Sequence, residues 1–155
     1  MLYCGVISSS FRCMLYRPKF VTRYSGNRSN VQDGAVIHAR GVFGNSTSKR
    51  GSPTFIGDDV SLGHKAMVHG CTIHEKCLIG INSVVLDDAV IEPYTLVAAG
   101  ALVPSGKVLN GGLWAGTPAR RIRDLTDEEK QMLADNASNY VQLKDVWEEF
   151  LRQAD

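Results

Sequence analysis

The chain has no apolar run approaching the roughly 18 residues that a membrane-spanning helix needs, and that excludes a helical membrane protein. It has no strong charge of either sign. Its 17 Lys and Arg stand against 16 Asp and Glu, a formal net charge of +1 over 155 residues, so nothing overall invites nucleic acid. It has no Cys-x-x-Cys spacing: Cys4, Cys13, Cys71 and Cys77 make no disulfide framework in a chain this long and read as free thiols of a reducing compartment. What is left is the composition of an ordinary globular protein, 44% hydrophobic and 21% charged, long enough for one domain with a real core.

One absence is local. No acid precedes Asp33, whereas Arg12, Arg17, Lys19, Arg23 and Arg28 do. Of the 17 basic residues, 12 therefore follow, against all 16 acids, so the body carries a net −4. A Ser- and Arg-rich, acid-free head is what a mitochondrial transit peptide looks like. It is also what a basic surface segment or a shortened first stretch of the fold would show. The expected location is mitochondrial, with a cytoplasmic protein as the alternative.

The middle of the chain repeats every six residues. Ile56, Leu62 and Val68 are followed, after one step of five, by Ile73, Ile79, Val85, Ile91, Val97 and Val103. A small or short side chain comes four positions after most of them: Val60, Ala66, Thr72, Cys77, Ser83, Ala89, Thr95 and Ala101. Ser25, Val31 and Ile37 keep the same phase upstream. Helix and strand periods of 3.6 and 2 cannot produce this pattern; a β-sandwich of short strands would not hold one phase so long. The repeat predicts a mainly-β, three-sided parallel β-helix in which each hexad is a strand and a corner. Its coils stack at roughly 4.8 Å and bury their apolar faces only against one another.

Between Ile37 and Ile56 lie 13 residues more than one hexad requires. The segment 39–54 is rich in Gly, Ser and Thr and is expected to be a loop inserted at a corner. The hexads are expected to stop at Pro104-Ser105-Gly106, and Trp114–Arg120 reads as an irregular connector. Thr126 followed by Glu129 is a capping box, opening an amphipathic helix over about 127–152 that should lie along one flank of the solenoid. The expected division is an N-terminal segment 1–24, a β-helix 25–108, and a connector with its helix at 109–155.

The hexad frame also places the histidines. His38 follows Ile37 and His69 follows Val68, so once the loop is excised both occupy the same position on one face of adjacent coils. His64 falls at the third position of the preceding face and points elsewhere, so reaching the same point calls for a second subunit. Three imidazoles and a water match a catalytic zinc site with one open position. His74 has no such neighbours and is expected to be ordinary.

The residues Asn27-Arg28-Ser29-Asn30-Val31-Gln32-Asp33-Gly34-Ala35-Val36-Ile37-His38, then Gly63-His64-Lys65-Ala66-Met67-Val68-His69-Gly70-Cys71-Thr72-Ile73, closely resemble γ-class carbonic anhydrases and their bacterial and mitochondrial relatives. Gly116-Thr117-Pro118-Ala119-Arg120 and Asn139-Tyr140-Val141 are similar to that family too, and the likeness covers roughly residues 14–150. It implies a left-handed β-helix and a homotrimer with metal at its subunit interfaces, His38 and His69 binding from one subunit and His64 from the next. The metal is expected to be Zn2+, with Fe2+ or Co2+ possible in the same donors. Gln32 would hydrogen-bond a metal-bound hydroxide, Asn30 would line the pocket, and Tyr140 would approach it from the helix. Asp33 would pair across the interface with an arginine, for which Arg17 stands in the matching place, although Arg17-Pro18-Lys19 replaces the family's Arg-Gly-Asp.

The implied reaction is the reversible hydration of CO2 to bicarbonate. The best-known active members use glutamates on a loop to release the proton; segment 39–54 here has no Asp or Glu at all. Two other readings follow: a non-catalytic structural subunit of a larger, for instance respiratory, assembly, and a hexapeptide-repeat acyltransferase working through a single histidine base. Fewer residues precede the first coil than in the family, so the edge of that coil is expected to need cover from another chain.

Overall fold

A computed structural model describes residues 26–40 and 51–136, the strand backbones at 5–7, 16–17 and 20–24, and single residues at 139, 142 and 152. The chain is a left-handed parallel β-helix of three sheets with a C-terminal helix. On the first face β3 (Phe20–Tyr24), β6 (Thr54–Ile56), β9 (Thr72–Ile73), β12 (Val90–Ile91) and β15 (Val108–Leu109) stack in parallel. The second face holds β4 (Ser29–Val31), β7 (Ser61–Leu62), β10 (Leu78–Ile79), β13 (Thr95–Val97) and β16 (Gly112–Ala115). The third holds β5 (Val36–His38), β8 (Met67–His69), β11 (Val84–Val85) and β14 (Leu102–Val103). Successive strands move from face to face, so the three walls enclose one prism.

The hexad aliphatics fill that prism. Leu62, Ile79 and Val97 lie in register on the second face, and Val68, Val85 and Val103 on the third. All six are fully buried. Each corner reverses the chain through a residue in the left-handed region, Asp59, Lys65, Lys76, Asn82, Asp88 and Tyr94 among them, with φ of 54–60°. Such a turn needs positive φ at one position. Side chains other than glycine hold it here because the coils on either side leave no other path.

Three details of the frame differ from the sequence reading. Tyr24 lies opposite Ile56, one residue before the expected Ser25, which itself falls outside the described residues. Cys71, not Thr72, is the buried corner residue after Val68, because the five-residue step removes one position from that corner. The solenoid also runs past Val103: Leu109 stacks on Ile91 and Trp114 on Val97, both buried. Pro104 and the glycine pair 111–112 disguise this last part as loop, but Lys107-Val108-Leu109 still supplies a strand.

Both ends fold back. β17 (Arg120–Arg123) runs antiparallel along β16, its four residues exposed; three arginines on an edge strand discourage another chain from pairing there. At the start, β1 (Gly5–Ile7) pairs antiparallel with β4, and β2 (Tyr16–Arg17) with β3. Against the expectation of another chain, the first-coil edge of two faces is covered by this chain's own N-terminal segment, whose strands reach back to pair with β3 and β4. The inserted loop is closed at its neck, where Arg40 and Ser52 exchange two backbone hydrogen bonds of 2.9 and 3.0 Å.

The helix α1 (127–136 as described) starts at the expected capping box. Glu129 N donates to Thr126 Oγ1 at 3.2 Å, and Thr126 N donates back to Glu129 Oε2 at 2.9 Å. Asn136 donates through Nδ2 to Ser61 Oγ at 2.7 Å, which seats the helix against the second face. The rest of the expected apolar stripe, Tyr140 included, lies outside the described residues. Among the described residues no helix is long and apolar enough to cross a membrane.

Arg123 grips Glu129 with two bonds of 2.6 and 2.7 Å. That guanidinium, helped by the Thr126 amide, holds the carboxyl down at about 2 against an ordinary 4.5. A folded-state value below the unfolded one stabilises the fold above the unfolded pKa, and the gain fades as pH falls toward the folded value. Glu129→Gln is therefore expected to lower the melting temperature at neutral pH. The difference from wild type should shrink as pH drops from about 4.5 toward 2; a pH-independent difference in thermal melts would contradict the pairing.

Candidate metal centre

The parallel register β5–β8 sets His38 directly opposite His69. Their imidazoles stack with centroids 5.0 Å apart and planes inclined by 29°. His38 is exposed and His69 half-buried, so the pair opens outward from the third face. Beneath it the backbone is tightly tied: the His38 carbonyl accepts from Thr54 Oγ1 at 2.6 Å and from the Gly70 amide at 2.9 Å.

His69 has a second partner. Its Nδ1 lies 2.5 Å from Asp87 Oδ1. Arg40 approaches the other oxygen of Asp87 at 3.5 Å, and also reaches Asp88 at 3.3 Å and Ser52 Oγ at 2.9 Å. Ser52 in turn donates to Asp88. The neck of the inserted loop is thus built into the same cluster as the histidine.

His64 belongs to another group. It is exposed at the corner after β7, and its amide donates to Gln32 Oε1 at 3.2 Å. Gln32 Nε2 reaches Asn30 Oδ1 at 3.5 Å. Asn30, fully buried, donates from Nδ2 to Ser61 Oγ at 2.7 Å, the same oxygen that α1 engages through Asn136. The expected site residues therefore fall into two sets within one chain: His38 with His69, and Asn30, Gln32 with His64. Among the described residues no three of His, Cys, Asp and Glu gather around one point.

A hexapeptide-repeat family described as bacterial transferase hexapeptide (six repeats) matches residues 70–105. Gamma carbonic anhydrase 1, mitochondrial, of Arabidopsis thaliana is 41% identical over 76% of this chain and 42% of its own length. A "Probable carbonic anhydrase" of Methanocaldococcus jannaschii is 39% identical over 81% of this chain and 74% of its own. The chain belongs to the γ-class carbonic anhydrase family. Among solved structures, a hexapeptide transferase family protein from Anaplasma phagocytophilum superposes with a TM-score of 0.69 at 36% identity, covering 79% of this chain and 67% of that one. The chain spans less than half the length of the Arabidopsis relative.

The donor set of this family member suits a borderline divalent metal such as zinc, which takes imidazole nitrogen readily. With Nδ1 of His69 engaged by a carboxylate, Nε2 is the nitrogen left to ligate. Of the remaining expected residues, Asp33 is exposed and its carbonyl accepts from the Lys65 amide. Arg17 lies in β2 beside β3 on the first face, whereas Asp33 is in the turn between β4 and β5. Arg28, within the motif run, is structural: it binds Asp59 through two bonds of 2.7 Å and locks successive corners together. His74 sits half-buried on the first face, its amide bonded to Ile91.

Cys71 and Cys77 are free and buried. Burial pushes both thiols up to about 12, so at neutral pH they are corner fillers, neither nucleophiles nor ligands.

Two residues of the cluster, Asp87 and Arg40, have no place in the sequence reading. The signal for Asp87 was in the register. Val85 stacks on Val68, so Asp87 stands one position beyond the partner of His69.

Proposed function

We propose that this chain is a metal-dependent carbonic anhydrase, hydrating CO2 reversibly to bicarbonate at the interfaces of a homotrimer. His38 and His69 of one subunit, with His64 of the next, would hold Zn2+; Fe2+ and Co2+ suit the same nitrogens. The observation that carries the reading is the stacked His38–His69 pair with His69 tied to Asp87. When bound, a metal of this kind acidifies water to a pKa of about 7, so that hydroxide is available at neutral pH.

The chain's own residues do the rest. Gln32, steered by the His64 amide and by Asn30, orients the oxygen nucleophile through its side-chain amide. Asn30 is buried and anchored on Ser61 Oγ, so that amide is preset. Asp33 and Arg17 would brace the subunit contact, and Tyr140 would close the pocket from the helix. The mitochondrial name of the Arabidopsis relative supports a mitochondrial location for this chain.

Segment 39–54 holds no carboxylate, so proton release is left to solvent and buffer. The test couples metal analysis of the purified protein to a CO2 hydration assay. The expected result is about one zinc per chain, as for a three-histidine site with an open position, with turnover that rises with buffer concentration. The same missing carboxylate favours, as a second reading, a metal-binding subunit without catalysis; full metal with no turnover at any buffer concentration would establish it. A metal-free protein that binds acetyl-CoA would instead point to the acyl-transfer chemistry named for its repeat family.

A further inference from the structure

The Asp87 cluster goes beyond the ligand set. The geometry points to Asp87 as the positioning residue of the site: it fixes His69 in the tautomer that carries its hydrogen on Nδ1 and keeps the Nε2 lone pair for the metal. Three observations combine. The Nδ1–Oδ1 separation of 2.5 Å joins a ring nitrogen to a group that can only accept, so the ring nitrogen is the donor. Arg40 lies 3.5 Å from the other Asp87 oxygen while bound to Ser52 at 2.9 Å, which restrains the carboxylate at the neck of the loop. Gly70 lies between the two partners with φ of 56°, and a Cβ there would come within 2.4 Å of Asp87 Oδ1. The missing side chain is what lets the carboxylate reach the ring.

The consequence is chemical. A neutral imidazole free in water prefers its hydrogen on Nε2, the nitrogen that would have to ligate. A carboxylate on Nδ1 reverses that preference, raises the basicity of Nε2 and stops the ring from rotating. Partners of this kind change metal affinity by about 10- to 100-fold when removed. Arg40 ties the effect to the inserted loop, because the residue that closes its neck also holds Asp87.

The consequence for metal rests on the carbonic anhydrase reading, but the tautomer does not, and the test keeps the two apart. Full-length, metal-free protein with 15N-labelled histidine is examined by NMR at a pH where imidazole is neutral, as wild type and as Asp87→Asn. The amide preserves the shape of Asp87, and Asp87→Ala serves as a second variant. In wild type the His69 ring should show a protonated Nδ1 and an unprotonated Nε2; in Asp87→Ala, which has no acceptor, it should move to predominantly Nε2–H, whereas the amide oxygen of Asp87→Asn can still accept from Nδ1. A His69 that keeps Nδ1–H in Asp87→Ala, or lacks it in wild type, overturns the proposal. Zinc affinity, measured by chelator competition, should fall 10- to 100-fold in Asp87→Asn, and an affinity within twofold of wild type overturns the positioning role. A wild type that shows the expected tautomer yet binds no zinc would defeat the carbonic anhydrase reading and the positioning of a ligand together, while leaving the Asp87–His69 bond established.

Discussion

Replacing His64 with alanine is expected to empty the proposed metal site while leaving the solenoid folded. His64 is exposed and its side chain takes no part in the prism of buried aliphatics. Removing it should change unfolding stability by no more than about 0.5 kcal/mol, the ordinary range for surface positions. Metal content, by contrast, should drop from about one per chain to near zero, because two imidazoles do not make a closed three-ligand site. CO2 hydration should fall to background with it. The proposed division of the ligands between subunits adds a sharper expectation. A His64→Ala subunit still has His38 and His69, and a His69→Ala subunit still has His64. Mixed trimers of the two variants, each inactive alone, should therefore recover metal at the interfaces where the intact halves meet. Failure of the mixture to recover any metal, with trimers confirmed, would show that the three ligands do not come from two chains.

Truncation of Ile79 is expected to have the largest effect on stability. The side chain is fully buried on β10, stacked between Leu62 and Val97. Ile79→Ala should cost about 2–5 kcal/mol, the lost transfer energy plus the cavity left behind. That is a large share of the 5–15 kcal/mol or so that holds a domain together, and each coil has only its neighbours to lean on. The urea midpoint measures it; a shift equivalent to less than about 1 kcal/mol would mean that the prism collapses around the gap. Gly80→Ala should be comparably damaging by the opposite route. A Cβ at Gly80 would come within 2.5 Å of the Val97 carbonyl oxygen and 2.6 Å of the Ala99 amide nitrogen, and backbone on both sides leaves nothing flexible to yield.

Much of this was legible in the sequence because a hexad is a local property. The alternation that puts Ile56 inside and Phe55 outside repeats wherever the chain makes a strand and a corner. The phase therefore identified the whole row from Ile56 to Val103, and the stacking of His38 on His69 followed by counting. Counting failed where a single residue was missing. The five-residue step after Val68 moved the buried corner from Thr72 to Cys71, and Tyr24 displaced Ser25 beneath Ile56. Past Val103, Pro104 and two adjacent glycines hid strands that Leu109 and Trp114 nonetheless complete. The capping box at Thr126 and Glu129 was readable because its two bonds span three residues.

By itself the sequence determined the coil, its interior rows and the face that carries the histidine pair, since the period of an extended chain decides inside from outside. Only the tertiary structure decided what those histidines touch. Asp87 reaches His69 across a corner, Arg40 comes to Asp87 from the neck of an insertion, and Asn136 meets Ser61 from a helix far along the chain. Those contacts depend on side-chain reach and on the absence of a Cβ at Gly70, and neither leaves a period for a sequence to show.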